Sequence, residues 1–213
     1  MREAGISSAL ADKTKLWMAV LFASLCIGAA SAQEWSWHTE AVDTSGAFTS
    51  VVVDHEGNVH LSYINGGVKY AFRSAGIPKW FTMMVDGGNS FTNIAVDTAD
   101  NPYICYTAYD VLKYAHWDGK SWTIQQIAAN SGQIAYSCAM GIAPDGTAHI
   151  IWYQVNSGAN NYFHLKHAEL KDGMWQARTV DFSMETGKWN SLRIDSRGVP
   201  HVTYSAYTQG EQK

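Results

Sequence analysis

A fourfold internal repeat constrains this chain more than any other feature of its sequence. Each copy is a short apolar run, a polar turn and a second apolar run that ends in an aromatic residue. Such a unit cannot bury its apolar face alone, so the copies must stack on one another. The four copies are VVVDHEGNVHLSY from Val51, IAVDTADNPYICY from Ile94, MGIAPDGTAHIIW from Met140 and LRIDSRGVPHVTY from Leu192.

The turn at the centre of the repeat has a constant length in all four copies. An Asp at its first position is expected to accept hydrogen bonds from backbone N–H groups within the turn. A Gly or Asp three residues later suits a backbone with positive φ. The first positions, which are 43, 46 and 52 residues apart, are Asp54, Asp97, Ala143 and Asp195, and the positive-φ positions are Gly57, Asp100, Gly146 and Gly198.

Two further strand-like segments follow the turn unit and complete the repeat. Four short strands every 43 to 52 residues are the blade unit of a β-propeller. A β-sandwich is the alternative, but sandwiches do not repeat their sequence at a four-strand period. The third strands contain Val68–Ala71, Leu112–Ala115 and Leu165–Ala168, and the fourth strands open at Trp37, Trp80, Trp122 and Trp175.

We therefore predict an all-β fold, with a β-propeller domain over residues 33–213 that holds three complete blades and a partial, two-stranded fourth. The chain begins with a fourth-type strand at Trp37–Val42 and ends soon after the second strand of the last copy. The simplest interpretation is the N-terminal part of a longer propeller, and a ring completed by homo-oligomerisation is the alternative. With uncovered blade faces, residues 33–213 alone are expected to aggregate or oligomerise.

The first 32 residues have the organisation of a secretory signal peptide. Lys13 and Lys15 precede an apolar run, Leu16–Ile27, and small residues ending in Ala32 follow it. The run is shorter than the roughly 20 residues that a membrane span needs. We expect a secreted, extracellular or periplasmic protein with no membrane attachment after cleavage.

Composition argues against several classes of partner. The chain has 15 Lys and Arg against 19 Asp and Glu, a balance that disfavours nucleic-acid binding. Beyond the signal peptide, Cys105 and Cys138 have no His or Cys neighbours at metal-ligand spacing. We expect no metal and no cofactor, and the sequence leaves open whether the two cysteines form a disulfide.

The core of the first copy, S-x-x-x-D-x-x-G-N-x-H-x-S-Y, together with the K-Y-A strand, resembles the BNR-like, sialidase-type propeller repeats of secreted bacterial proteins. The resemblance covers the chain beyond the signal peptide. Such proteins include glycoside hydrolases, polysaccharide lyases and glycan- or protein-binding propellers, so it implies an architecture and not one activity. The spacing of Asp54 and Gly57 differs from that of the Asp box of sialidases, and no arginine triad is recognisable. The resemblance therefore assigns no catalytic residue to this sequence.

Functional residues are expected where the repeat varies. In an up-and-down blade, the connections between strands one and two and between strands three and four share one face, the constant face. The remaining connections share the other, the variable face, and lengthen at the third and fourth copies. The expected ligand-binding residues there are Tyr136, Gln154, Asn156, Tyr162, His164, Glu185 and Trp189.

Arg193 joins this set because it replaces a small or apolar residue on an innermost strand. It is expected either to reach a central channel or to pair with a charged group of a neighbouring blade. Residues present in most copies are expected to be structural, since one site does not need four copies. These are His60, His149 and His201 beside the turns, and the tryptophans between the blades.

Carbohydrate recognition is the leading functional expectation, because flat aromatic rings stack on pyranose faces while amides and carboxylates bond hydroxyls. Tyr162 and Trp189 are the expected anchors. The alternatives are a sialidase-like hydrolase or a polysaccharide lyase whose site is completed by further blades, and a protein-interaction propeller. The Asn-, Ser- and Gly-rich insertions are equally consistent with ordinary solvated turns.

The first prediction concerns processing. Cleavage after Ala32 should leave a secreted chain that begins at Gln33 or its pyroglutamate form. N-terminal sequencing of the exported protein tests this, and an exported protein that retains residues 1–32 would contradict it.

Overall fold

A computed structural model describes residues 36–128, 133–156, 162–183, 185–208 and 211–212 of the chain. The predicted signal peptide lies outside these residues. The chain divides into two compact units, Met1–Glu40 and Ala41–Lys213. Within the first unit, residues 36–40 are described and contain no strand. Across the described ranges, no helix has the length and apolar character needed to cross a membrane.

The second unit is a series of antiparallel sheets, each an up-and-down meander of consecutive strands. Sheet 1 contains β1 (Ala47–Val53), β2 (Val59–Ile64), β3 (Val68–Arg73) and β4 (Phe81–Asp86). Sheet 2 contains β5 (Ser90–Val96), β6 (Pro102–Ala108), β7 (Val111–Trp117) and β8 (Trp122–Ala128). Sheet 3 contains β9 (Gln133–Ile142), β10 (Ala148–Asn156), β11 (Tyr162–Lys171) and β12 (Met174–Asp181). Sheet 4 contains β13 (Thr186–Ile194), β14 (Pro200–Thr208) and β15 (Glu211–Gln212).

The first strands of the four sheets are the innermost ones. Each packs against the first strand of the next sheet, in the order β1, β5, β9 and β13, and all four line one central cavity. The repeat predicted an all-β fold with sheets arranged as the blades of a propeller, and the structure has this arrangement.

Two details of the prediction were wrong. Residues 37–42 form no strand, because a strand depends on hydrogen bonds to a neighbour and none of the described strands pairs with this segment. The fourth sheet has three strands and not two, because the chain reverses after β14 and Glu211–Gln212 pairs with its end.

The Asp that begins three of the four constant-face turns caps its turn, as predicted. Asp54 Oδ1 accepts hydrogen bonds from the backbone N–H groups of Glu56 at 3.0 Å and Asn58 at 2.8 Å. Asp97 and Asp195 cap their turns in the same way. The predicted positive-φ positions have φ values of 82° at Gly57, 64° at Asp100, 87° at Gly146 and 82° at Gly198.

His60 has the structural role that its repetition predicted. It is buried, with Nε2 2.9 Å from Asp54 Oδ2 and Nδ1 2.8 Å from the hydroxyl of Tyr70. The ring therefore joins the turn to the third strand of its sheet.

Of the four tryptophans expected to pack between sheets, Trp122 and Trp175 do so. Trp37 does not, because its segment joins no sheet and its side chain is fully exposed. Trp122 of sheet 2 meets Tyr70 of sheet 1 edge-on, with ring centroids 5.3 Å apart. Trp175 of sheet 3 meets Tyr114 of sheet 2 in the same way at 5.0 Å. Edge-to-face pairs of this kind are a favourable aromatic geometry.

A shared carboxylate, here named the inter-sheet clamp, ties each of two sheets to its successor. Asp86 ends β4 and accepts hydrogen bonds from the Tyr106 hydroxyl and the Lys113 ammonium of sheet 2, both at 2.7 Å. Although burial opposes ionisation, these bonds lower the pKa of Asp86. Asp181 of sheet 3 likewise accepts from Tyr204 of sheet 4 at 2.8 Å. Asp43, which precedes β1, accepts from Tyr63 and Lys69.

Among the described residues, the seam between sheets 2 and 3 has no such clamp. Ala128 occupies the position of the carboxylate, and Lys166 instead donates to Thr179 Oγ1 of its own sheet at 2.6 Å. The core of this seam is apolar and buries Cys105 and Cys138, which are free thiols. Burial and hydrogen bonding to Cys138 raise the pKa of the Cys105 thiol, which makes it a poor nucleophile.

The second prediction tests the clamp. Asp86→Asn should lower the free energy of unfolding by about 2 kcal/mol, because it removes a charged acceptor from Lys113 and from the buried Tyr106. Urea denaturation measures the change. Glu56→Gln, which neutralises an exposed carboxylate, is the matched control and should have little effect. Equal losses in both variants would refute a clamp.

The third prediction concerns acid stability. Burial raises the pKa of Asp54, but hydrogen bonds from His60 and Asn58 outweigh burial and lower it from 3.8 to about 2. A carboxylate with a depressed folded-state pKa stabilises the protein above pH 4 and loses that contribution as the pH falls through 2. Urea denaturation at stepwise pH should therefore show a shallower loss between pH 4 and 2 in Asp54→Asn. An unchanged slope would contradict this role.

Candidate functional site

Each innermost strand carries a β-bulge six residues before its constant-face turn. The bulged position has positive φ in all four sheets, and bulky side chains rarely adopt that conformation. Bulges redirect side chains, and strained backbone of this kind gathers at functional sites. The four residues are Phe48 (φ 50°), Phe91 (φ 44°), Ser137 (φ 40°) and Trp189 (φ 53°).

The bulges help to build a continuous line of rings across the variable face, here named the aromatic row. Phe48 of sheet 1 lies 4.8 Å from Phe91 of sheet 2, and Phe91 lies 6.2 Å from Tyr136 of sheet 3. Tyr136 lies 6.4 Å from Tyr153, which stacks on Phe163 at 5.6 Å with an interplanar angle of 2°. All of these centroid distances are within the range of aromatic pairing.

Charged groups flank the sheet 3 end of the row. Lys188 Nζ of sheet 4 lies 5.6 Å from the ring centroid of Tyr153 and 5.7 Å from that of Phe163, within cation–π range. Burial, and then the nearby Glu185 carboxylate, raise the pKa of Tyr153 to about 12. Its phenol stays protonated at neutral pH, and its hydroxyl has no hydrogen-bond partner among the described residues.

The variable face leaves several of these rings open to solvent. Phe48 is 45% exposed, Tyr136 is 36% exposed and Trp189 is 75% exposed. Phe91 and Phe163 are half-buried, and Tyr153 beneath them is buried. Exposed aromatic surface beside polar groups is typical of a binding site.

Three predicted site residues lie exposed on this face: Tyr136, Glu185 and Trp189. Gln154 does not, because β10 continues through it. It is 4% exposed and accepts a hydrogen bond from Trp152 Nε1 at 3.3 Å. Its prediction as a ligand-binding loop residue was therefore wrong, and it belongs to the polar part of the core.

The described residues at both ends of the predicted loop from Gln154 to His164 are strand. Asn156 pairs with Tyr162 and Gln154 pairs with His164 across β10 and β11. The side chains of Asn156 and Tyr162 lie outside the described residues. His164 is half-buried, with its ring 5.9 Å from that of Phe182.

Arg193 faces the central cavity of about 270 Å³ that the innermost strands enclose. Its side chain is exposed, and Nη1 donates to the carbonyl oxygen of Leu192 at 2.9 Å. Arg193 was expected either to reach a central channel or to pair with a charged group of a neighbouring blade. The structure places it beside the central cavity.

Phe48, Phe91, Tyr153 and Phe163 were missed by the sequence-based prediction. A signal for the first two exists, because they occupy one repeat position together with Trp189. The sequence contains no such signal for Tyr153 and Phe163, since their stacking depends on the pairing of β10 with β11. In the described ranges, no group of three or more His, Cys, Asp or Glu side chains is arranged to hold a metal ion.

No protein-family model matches the sequence, and no curated protein matches it. A Dyadobacter fermentans protein of unknown function matches with a TM-score of 0.59 at 9% identity, over 81% of this chain and 61% of that chain. A fucose lectin from Kordia zhangzhouensis, in complex with methyl-fucoside, has a TM-score of 0.42 at 16% identity, over 61% and 96%. An endo-arabinase from Bacteroides thetaiotaomicron has 0.46 at 11%, over 77% and 71%.

At 9% identity, the match to the Dyadobacter protein shows a likeness of fold alone. This chain spans 61% of the length of the Dyadobacter protein. The choice between a binding module and an enzyme therefore depends on the site itself.

Proposed function

We propose that this chain is an exported propeller module that binds carbohydrate on its variable face. The observation that carries the proposal is the aromatic row, which crosses three sheets and ends beside charged groups. Strained bulges hold Phe48, Phe91 and Trp189 in a conformation that their side chains disfavour. Such strain persists only where the surrounding structure imposes it.

The chemistry of the face suits a sugar chain. The C–H groups of a pyranose face pack on the electron-rich faces of aromatic rings, and Phe48, Tyr136 and Trp189 offer exposed rings. Glu185 and Lys188 supply an acceptor and a donor for hydroxyl groups. A row that extends over several blades fits an extended glycan better than a single small molecule.

Export and the sialidase-type kinship of the repeat are part of this proposal. A hydrolase or lyase activity requires catalytic groups in addition to a binding surface, and the aromatic row supplies binding alone. The protein-interaction alternative is tested by the same experiment, because an exposed aromatic surface also suits a protein partner.

The fourth prediction tests the face. Trp189→Gly should weaken glycan binding by roughly 1–3 kcal/mol, the effect of removing an anchoring ring, and leave the melting temperature nearly unchanged. Glycine adopts the positive φ of this position without strain. Glycan-array screening of the full chain, followed by titration calorimetry on the best glycan, measures the loss. Tyr162→Ala should weaken binding similarly.

Phe81→Ala provides the matched control. Phe81 is also an exposed ring but lies on β4, the outermost strand of sheet 1, so its removal should leave binding intact. The proposal fails if no glycan binds, if Phe81→Ala costs as much as Trp189→Gly, or if Trp189→Gly unfolds the protein. Capture of a protein partner that Trp189→Gly abolishes, with no glycan bound, would favour the protein-interaction alternative.

A further inference from the structure

The constant face breaks its own pattern in sheet 3. Ala143 stands where the other three turns begin with an Asp, and His167 stands where sheets 1 and 2 have a tyrosine. The backbone of the turn is nevertheless the same. Ala143 N donates to Thr147 O at 2.8 Å, as Asp54 N donates to Asn58 O at 3.0 Å. The difference is therefore in side-chain chemistry and not in turn geometry.

The loss of the Asp leaves one ring nitrogen of His149 without its usual partner. His149 is 6% exposed, and its Nδ1 lies 3.1 Å from His167 Nε2, with the two rings stacked at 5.3 Å. In His60 the other nitrogen, Nε2, meets Asp54. For His149, the ring hydrogen bond that the described residues provide is the one at Nδ1. Burial lowers the pKa of both rings, that of His167 to about 4, so both are neutral at pH 7.

His149 lines a cavity of about 410 Å³ between the turns of sheets 3 and 4. Glu169 lies directly across from His149 on β11, and Lys171 follows two residues later on the same side of the strand. Both line the cavity, and neither side chain makes a hydrogen bond or ion pair with another described side chain. Ala143 and Gly198 provide an uncharged wall, and Arg197, already bonded to Asp195, stands at the edge.

We propose that this cavity is a second ligand site, which takes a neutral, hydroxyl-rich molecule of monosaccharide size. A carboxylate that accepts, an ammonium that donates and an imidazole nitrogen that does either match hydroxyl groups, which both donate and accept. Asp145 joins Glu169 in the lining, and Arg197 joins Lys171. The two charges of each sign leave no net attraction for an ion. The volume is within the range of small-molecule sites.

The site is independent of the aromatic row. The two lie on opposite faces of the sheets, because the constant-face turns and the bulges are at opposite ends of the innermost strands. Together they would give the module two attachment points, one for an extended chain and one for a single ring.

The decisive variant is Ala143→Asp, which restores the residue of the other three turns. Its carboxylate should accept from His149 Nε2, as Asp54 does in sheet 1, and so close the site while maintaining or raising the melting temperature. Glu169→Gln should weaken binding about tenfold, since it removes one charged acceptor. Trp189→Gly on the variable face is the control and should leave this site unaffected.

The probe is a panel of glucose, galactose, fucose and N-acetylglucosamine, titrated into the full chain with labelled histidines and followed by NMR. At least one sugar should shift the ring resonances of His149 and His167 saturably, and Ala143→Asp should abolish that shift. The proposal is overturned if no sugar shifts these resonances, or if Ala143→Asp binds as well as the parent. It is also overturned if only a zwitterion such as glycine binds. Each outcome is measured from the ring resonances of His149. Failure of this proposal is therefore distinct from failure of the proposal that the aromatic row binds glycan.

Discussion

A carboxylate shared between a tyrosine hydroxyl and a lysine ammonium of the next sheet governs how the first two sheets of this protein meet. At the first seam, Asp86 holds Tyr106 and Lys113 with two bonds of 2.7 Å. Trp122 meanwhile packs on Tyr70 across the same seam. Together these contacts fix the rotation and spacing of successive sheets. The innermost strands therefore lie side by side, and the bulge of each comes next to the bulge of its neighbour. Without that register the rings of Phe48 and Phe91 would not meet.

Sequence reasoning succeeded where structure depends on local spacing. The Asp caps, the positive φ of Gly57 and the order of strands within each sheet all follow from residues a few positions apart, which the repeat displays four times. The inter-sheet tryptophans were also predictable, because they recur without any apparent surface role. Four copies of one pattern provide more information than any single segment does.

Sequence reasoning failed where structure depends on distant partners. The segment between Gln154 and His164 has the composition of a loop, yet pairing with β9 and β11 extends the strands into it. Phe48 and Phe91 of the aromatic row were overlooked because such side chains disfavour positive φ, which the surrounding sheets impose on them. The emphasis on the variable face also rested on loop length. At the constant face the repeat changes its chemistry at Ala143 and keeps its length, so a search for insertions overlooks it.

Successive sheets of this protein are held together by different kinds of contact. Ion pairs cross the seam from sheet 1 to sheet 2, whereas Cys105, Cys138 and the indole of Trp152 fill the next one. Dissolved ions screen the first kind of contact, and strongly hydrated salts reinforce the second. Ionic strength therefore acts on the two seams in opposite directions. The seam that separates most readily in concentrated salt should therefore differ from the one that separates most readily in dilute buffer.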